Sequence, residues 1–195
     1  MLISKEICDQ LSEQEIVQKC LLDVDYLSCL YERYEKKLLS YIGHISSISH
    51  DQAEDILQES FIKIWRNIHS YDPSIKLSSW IYRIVHNETI SQWRKNTGSG
   101  KIAFVEMSNQ LIGEIQEDIN IPELNDAGIQ STHRVLKEMP IKYKEVLVLK
   151  YFEKLNYEEI SDILKIPEGT VATRLNRAKK AFLSTAEKHQ IQFQD

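Results

Sequence analysis

The chain has 195 residues, 42% of them hydrophobic and 27% charged, with a formal net charge of −5. That composition is ordinary for a globular protein of one or two domains, and no stretch approaches the ~20 apolar residues of a membrane span. The six glycines form no phosphate cradle and the six histidines show no metal-ligand spacing. With no nucleophile elbow or paired-carboxylate site either, no enzyme activity, metal or cofactor is expected.

Met1-Leu2-Ile3-Ser4-Lys5 runs straight into acidic residues, which does not read as a signal peptide, so a cytoplasmic protein is expected. Cys8, Cys20 and Cys29 lie far apart without a CxxC. They read as small hydrophobes on helices rather than as zinc ligands or a disulfide framework.

Ser12-Glu13-Gln14-Glu15 is a capping box ahead of Ile16, Val17, Cys20 and Leu21, and predicts a short helix. A longer helix is predicted from about Asp25 to Ser46, with Leu27, Leu30 or Tyr31, Tyr34, Leu38, Tyr41 or Ile42, and Ile45 on its apolar stripe. Ser49 and Gln52 form a second capping box. The helix they open runs to about His69, with Ala53, Ile56, Leu57, Ser60, Ile64 and Ile68 facing inward. Its outer face carries Asp55, Gln58, Glu59, Ile62 and Arg66, with Trp65 beside them. Spacing alone leaves two readings of Ile62 and Trp65 open: singly exposed apolar residues, or a partner-docking strip.

Ser70-Tyr71-Asp72-Pro73-Ser74 breaks the helix with turn chemistry. The next helix, about Leu77 to Lys95, mixes Trp80, Tyr82 and Trp93 with Arg83, His86, Asn87, Arg94 and Lys95. Aromatics among cations suit single-stranded nucleic acid. The alternative is a helical core with a basic rim. Thr97-Gly98-Ser99-Gly100 marks a domain boundary, and residues 97–130 read as an acidic linker with one short helix at most. From Thr97 to Ser131 there is one lysine against six carboxylates.

Helices resume near Ser131, and Val146, Leu147, Leu149, Tyr151 and Phe152 predict a densely apolar one. Asn156 and Glu159 then cap a helix faced by Ile160, Ile163 and Leu164, and Lys165-Ile166 is the turn. Pro167 suits the first turn of the helix that follows. In that helix Val171, Leu175, Ala178 and Phe182 recur at four, three and four, one stripe of a 3.6-residue period. Gly169, Thr173, Asn176 and Lys180 lie opposite, flanked by Thr170 and Arg177. Small polar and basic side chains at a helix N-terminus suit a DNA major groove. A solvated amphipathic helix is the plainer alternative. No strand signal and no internal repeat is present. The expected fold is all-α: two helical domains, at 1–96 and 131–195, joined by a flexible acidic linker, with a helix-turn-helix in the second.

These residues carry a family resemblance over nearly the whole chain. Leu30-Tyr31-Glu32-Arg33-Tyr34, the run from Ala53 to Arg66 and Leu77-Ser78-Ser79-Trp80-Ile81-Tyr82-Arg83-Ile84 resemble region two of bacterial sigma factors of the extracytoplasmic-function group. Tyr157-Glu158-Glu159-Ile160 and the run from Glu168 to Ala178 resemble their region four. The resemblance implies a non-catalytic subunit that directs RNA polymerase core to promoters and helps melt them. It implies that Gln58 and Glu59, with Asp55, Ile62 and Arg66 on the same face, contact the coiled coil of the largest polymerase subunit. The loop Ser70 to Lys76 would capture an unstacked base of the minus-ten element, with Tyr71, Lys76, Trp80, Arg83, Asn87, Arg94 and Lys95 as its DNA-contacting residues. Gly169, Thr170, Thr173, Arg174, Asn176, Arg177 and Lys180 would read the minus-thirty-five element, and region four would dock on the polymerase flap. An anti-sigma factor is implied as a further partner, and insertion into a membrane is not. The family often has Lys or Arg where Ala172 stands, and commonly a Gly where Ile75-Lys76 stand. A stand-alone helix-turn-helix regulator and a helical adaptor that binds only protein are the competing readings of the residues.

Overall fold

The computed structural model describes residues 3–46, 48–97 and 139–188. These fall into two compact units, one within Met1–Ala103 and one within Phe104–Asp195. Every regular element among the described residues is helical. The expected acidic linker lies outside them.

The first unit holds α1 (Lys5–Gln10), α2 (Glu13–Leu22), α3 (Leu27–Ser46), α4 (His50–Asn67) and α5 (Leu77–Thr97). Both expected capping boxes form. The Ser12 hydroxyl accepts from the Glu15 N–H while the Glu15 carboxylate accepts from the Ser12 N–H, and Ser49 and Gln52 repeat the arrangement at α4. Each box satisfies two of the N–H groups a helix start leaves orphaned. α3, α4 and α5 pack on one another. Leu38, Tyr41, Ile42, Leu57, Ile64 and Ile81 are fully buried between them. All six residues expected on the inner face of α4 are buried.

Two features of this unit depart from the sequence reading. α1 had no sequence signal. It is held by a disulfide between Cys8 and Cys29, with a Cα–Cα distance of 5.0 Å. The reading of all three cysteines as unpaired hydrophobes is therefore corrected. It assumed that distance along the chain meant distance in space, but the turn between α2 and α3 brings Cys8 back over the start of α3. Cys20 alone remains a free, buried thiol.

The second unit holds α6 (Ile141–Leu147), a π-helical segment (Val148–Phe152), α7 (Tyr157–Leu164) and α8 (Glu168–Lys188). The dense apolar run is thus α-helical only to Leu147. The wider i→i+5 turn that follows lets Val146, Leu147, Val148, Leu149 and Tyr151 all be buried, more than one α-helical stripe could turn inward. The Asn156–Glu159 capping box forms at α7. Lys165 closes that helix in the left-handed conformation, φ 52°. Pro167 stands one residue ahead of α8 rather than inside it, and its carbonyl accepts from Thr170 and Val171. Val171, Leu175, Ala178 and Phe182 are buried against α6 and α7, as their spacing requires.

Candidate polymerase and promoter interface

The outward stripe of α4 is the first surface. Its capped start and buried inner face fix the rotation of the helix. Asp55, Gln58, Ile62 and Arg66 are therefore exposed, and Glu59 is half-buried at the edge. Ile62 is 41% exposed and Trp65 46%. Two large apolar side chains are thus held in water three residues apart, framed by polar ones.

Beside this stripe, Lys63 reaches across to Glu88 of α5, which also accepts from Gln92 at 2.9 Å. Burial alone would raise the Glu88 pKa, but the hydrogen bonds from Lys63 and Gln92 and the Lys63 charge outweigh it and hold the carboxyl below its ordinary value. Glu88 is 5% exposed, so this ion pair welds α4 to α5.

The second surface is the loop between α4 and α5, with the exposed rim of α5. The loop is internally closed. The Tyr71 hydroxyl donates to the Ile75 carbonyl at 2.8 Å, and Asp72 Oδ1 accepts from the Ser74 N–H at 2.9 Å. The Tyr71 ring lies 5.5 Å from that of Trp80. Trp80 is only 4% exposed, so it buttresses the loop from behind and has no open face for a base. The family resemblance expects it among the DNA contacts; in the free chain its ring is packed against the loop. The i, i+3, i+7 spacing from Trp80 puts it on the Arg83–Asn87 stripe, but the first turn of α5 is tucked under the loop. Tyr71 is half-buried, Lys76, Asn87, Arg94 and Lys95 are exposed, and Arg83 is half-buried. Inside α5, His86 Nδ1 lies 2.9 Å from the Tyr41 hydroxyl. Burial, helped by the Arg94 charge, holds its pKa down to about 4. His86 is therefore a neutral core residue at neutral pH, not part of the basic rim.

The third surface is the outer face of α8. Gly169, Thr173, Asn176, Arg177 and Lys180 are exposed and Thr170 is half-buried. The Thr173 hydroxyl donates to the Gly169 carbonyl at 2.8 Å, which leaves its oxygen lone pairs facing out. A Cβ on Gly169 would meet nothing within 4 Å, so packing inside the unit does not require glycine there. Arg174 differs from its neighbours. Its guanidinium donates to Glu145 Oε1 of α6 at 2.9 Å. That half-buried pair ties the expected reading helix to its support. Neither Glu145 nor Glu88 had a sequence signal, because a carboxylate's partner across a helix interface is set by packing.

No group of His, Cys, Asp and Glu that could hold a metal occurs among the described residues. No helix among them is long and apolar enough to cross a membrane.

The family model for Sigma-70 region 2 matches residues 30–98, and that for Sigma-70, region 4 matches residues 129–182. The ECF RNA polymerase sigma factor SigW of Bacillus subtilis is 37% identical over 168 residues, which cover 82% of this chain and 88% of SigW. The chain belongs to the ECF sigma factors. The first two surfaces thus lie in region 2 and the third in region 4. α1, α2 and Cys29 precede the region 2 match. Two solved structures share the fold. CnrH, solved with the cytosolic domain of CnrY, superposes with a TM-score of 0.64 at 15% identity, covering 89% of this chain and 96% of CnrH. RpoE of Bartonella quintana, solved with the anti-sigma factor NepR, gives 0.59 at 22% identity, covering 80% of this chain and 94% of RpoE. An ECF sigma factor is not an enzyme. It binds RNA polymerase and promoter DNA and directs the one to the other, so the free-standing regulator and the protein-only adaptor are set aside.

Proposed function

We propose that this sigma factor docks on the coiled coil of the largest polymerase subunit through the outward stripe of α4. Region 2 also takes the minus-ten element on the α4–α5 loop and α5 rim, and region 4 reads the minus-thirty-five element with the outer face of α8. The observation that carries this is the exposed stripe Asp55, Gln58, Glu59, Ile62 and Arg66. It is a polar strip with apolar Ile62 and Trp65 in water, on a helix locked in rotation by its cap and by Lys63–Glu88. An interface that desolvates such a patch gains from both kinds of contact.

In region 2, Tyr71 presents the edge of a closed loop, while Lys76, Arg83, Asn87, Arg94 and Lys95 line a path for a backbone of phosphates. In region 4, Asn176 and Arg177 are the base-reading candidates, since amide and guanidinium groups pair bidentately with purine edges. Thr170, Thr173 and Lys180 serve the phosphates. Gly169, where no side chain is needed for packing, lets the backbone approach DNA. Region 4 also meets the polymerase flap, and the protein works in the cytoplasm, where its template is. The domains run over 1–96 and 131–195, with 97–130 as linker. An anti-sigma factor is a further partner. The complex of RpoE with NepR makes it a natural one to look for.

The test is a titration of core polymerase with the full chain carrying Gln58→Ala and Glu59→Ala together. Truncation at the centre of an interface costs ~2 kcal/mol or more, about thirtyfold in affinity. The variant should lose that much while its thermal unfolding is unchanged, because both side chains point away from the core. Undiminished affinity would overturn the assignment.

A further inference from the structure

The strongest feature that promoter recognition leaves unused is the link between Cys8 and Cys29. α1 has six residues, well short of the ~12 that a helix needs to hold itself together in water. Cys8 is its only buried residue, at 3% exposure, while Ile7 on the next position is 47% exposed. Among the described residues, two hydrogen bonds attach α1 and its C-cap to the body of region 2. The Arg33 guanidinium of α3 donates to the Cys8 carbonyl at 2.8 Å and to the Leu11 carbonyl at 2.9 Å. α1 is thus a short flap whose covalent bond to Cys29 is its main hold. A protein that acts on promoter DNA works where thiols are kept reduced, and a disulfide there is transient and redox-sensing rather than permanent.

We propose that Cys8 and Cys29 are a reversible oxidation site, at which a peroxide closes and a small thiol opens the clamp that holds α1 on region 2. In the closing step the thiolate of one cysteine attacks a peroxide oxygen. The O–O bond breaks and hydroxide leaves, giving a sulfenic acid. The second thiolate attacks that sulfur, the S–S bond forms, and the S–O bond breaks. The oxygen departs as water, so two thiols and one hydrogen peroxide become one disulfide and two waters. Opening is thiol–disulfide exchange. A thiolate attacks one sulfur, the other leaves as thiolate, and a second thiol releases the mixed disulfide, itself oxidised to a disulfide. Cys20 stays out of both steps. It stands free while the other two are joined, and its thiol is pushed up to about 11 by burial and by the Asp23 charge, so it supplies almost no thiolate.

The clamp bears on more than α1. α1 leads through Leu11 into the capped start of α2, whose Glu13 accepts a hydrogen bond from the Tyr34 hydroxyl of α3. α2 also packs on the Ile68–Ser70 turn, which opens the loop carrying Tyr71. Closing the disulfide therefore anchors the N-terminal end of the layer that supports the promoter-facing loop.

The experiment uses the full chain, reduced with dithiothreitol, freed of it, and titrated with hydrogen peroxide before denaturation, alkylation and peptide mapping. Cys8 and Cys29 should lose alkylation together and appear as one linked peptide pair, while Cys20 stays alkylated. Dithiothreitol should restore both thiols. Hydrogen exchange is then measured on the two forms. The α1 amides should exchange roughly tenfold or more faster in the reduced form. Cys29→Ser should show the fast rate with or without peroxide, and Cys20→Ser should behave as the native chain. If Cys29→Ser fails to fold, the comparison of oxidised and reduced native chain decides alone. Independent oxidation of the two cysteines without a linked peptide would overturn the site. Equal α1 exchange in both forms would overturn the clamp.

Discussion

Two arginines three residues apart on α8 have different fates, and their side-chain partners decide which. Arg177 is exposed with the DNA-reading candidates, whereas Arg174 is half-buried on Glu145. Arg177→Ala should cost roughly 1–3 kcal/mol of promoter affinity and relax preference at one base position if it meets a base edge. Uniform weakening over a panel of minus-thirty-five variants would assign it to phosphate instead. Arg174→Ala should act on stability. It removes the guanidinium from Glu145, whose side chain is 11% exposed, and losing a hydrogen bond to a charged group of that kind costs about 1.5–3 kcal/mol. Thermal unfolding followed by circular dichroism should show the loss for Arg174→Ala and none for Arg177→Ala.

At the scale of elements, the turn of the helix-turn-helix and the joint between α3 and α5 each hold a group in an unusual state. Lys165 adopts φ 52° where α7 ends, a left-handed conformation that costs a side-chain-bearing residue ~1–2 kcal/mol and glycine nothing. Lys165→Gly removes that cost but gives the unfolded chain more freedom. The expected net gain is up to about 1 kcal/mol, read as a higher urea midpoint of region 4. A lower midpoint would mean that the lysine side chain itself supports the turn.

In region 2, the buried His86 keeps a pKa of about 4 against its ordinary 6.5. Above 6.5 both folded and unfolded chains carry it neutral, so its full contribution is present. Between 6.5 and 4 the unfolded chain takes up a proton that the folded one refuses, and stability falls as pH falls. The loss amounts to ~3 kcal/mol once pH is below 4. Glu88, also held below its ordinary value, adds its own loss only below 4.5. All three tryptophans, Trp65, Trp80 and Trp93, lie in region 2, so selectively excited tryptophan fluorescence follows that unit alone. Urea unfolding at pH 7 and 5 should show a drop that His86→Gln largely abolishes. An equal drop in the variant would assign it to other groups.

On the scale of the whole molecule, charge sets how the protein reaches DNA. The chain is −5 overall, and the region from Thr97 to Ser131 has one lysine against six carboxylates. Free DNA binding draws on counterion release, so a chain with few net phosphate contacts binds duplex weakly and loses affinity steeply with salt. In the proposed arrangement core polymerase holds both domains at the spacing of their promoter elements, so that the second would bind at high effective concentration. A duplex titration at physiological salt should therefore show weak binding by the free chain and much tighter binding with core. Tight, sequence-specific binding by the free chain, unimproved by core, would refute this division of labour.

Apart from α1, the helices of both domains were legible in the sequence because what specifies them is local. Three capping boxes, at Ser12, Ser49 and Asn156, each need only residues three apart, and the stripes on α4 and α8 need only a period. The same local logic exposed the outward faces that carry the docking and DNA-reading candidates, and two motif blocks in order were enough to suggest the family. What the sequence could not determine is which residues meet across helices. Cys8 and Cys29 are 21 residues apart, Lys63 and Glu88 25, and Glu145 and Arg174 29. Helical periodicity carries no information at those distances. Such pairings exist only once the apolar stripes have packed and set the helices' rotation. For the same reason a wheel could put Trp80 on a promising stripe, but only the packing of the loop over the start of α5 could bury it.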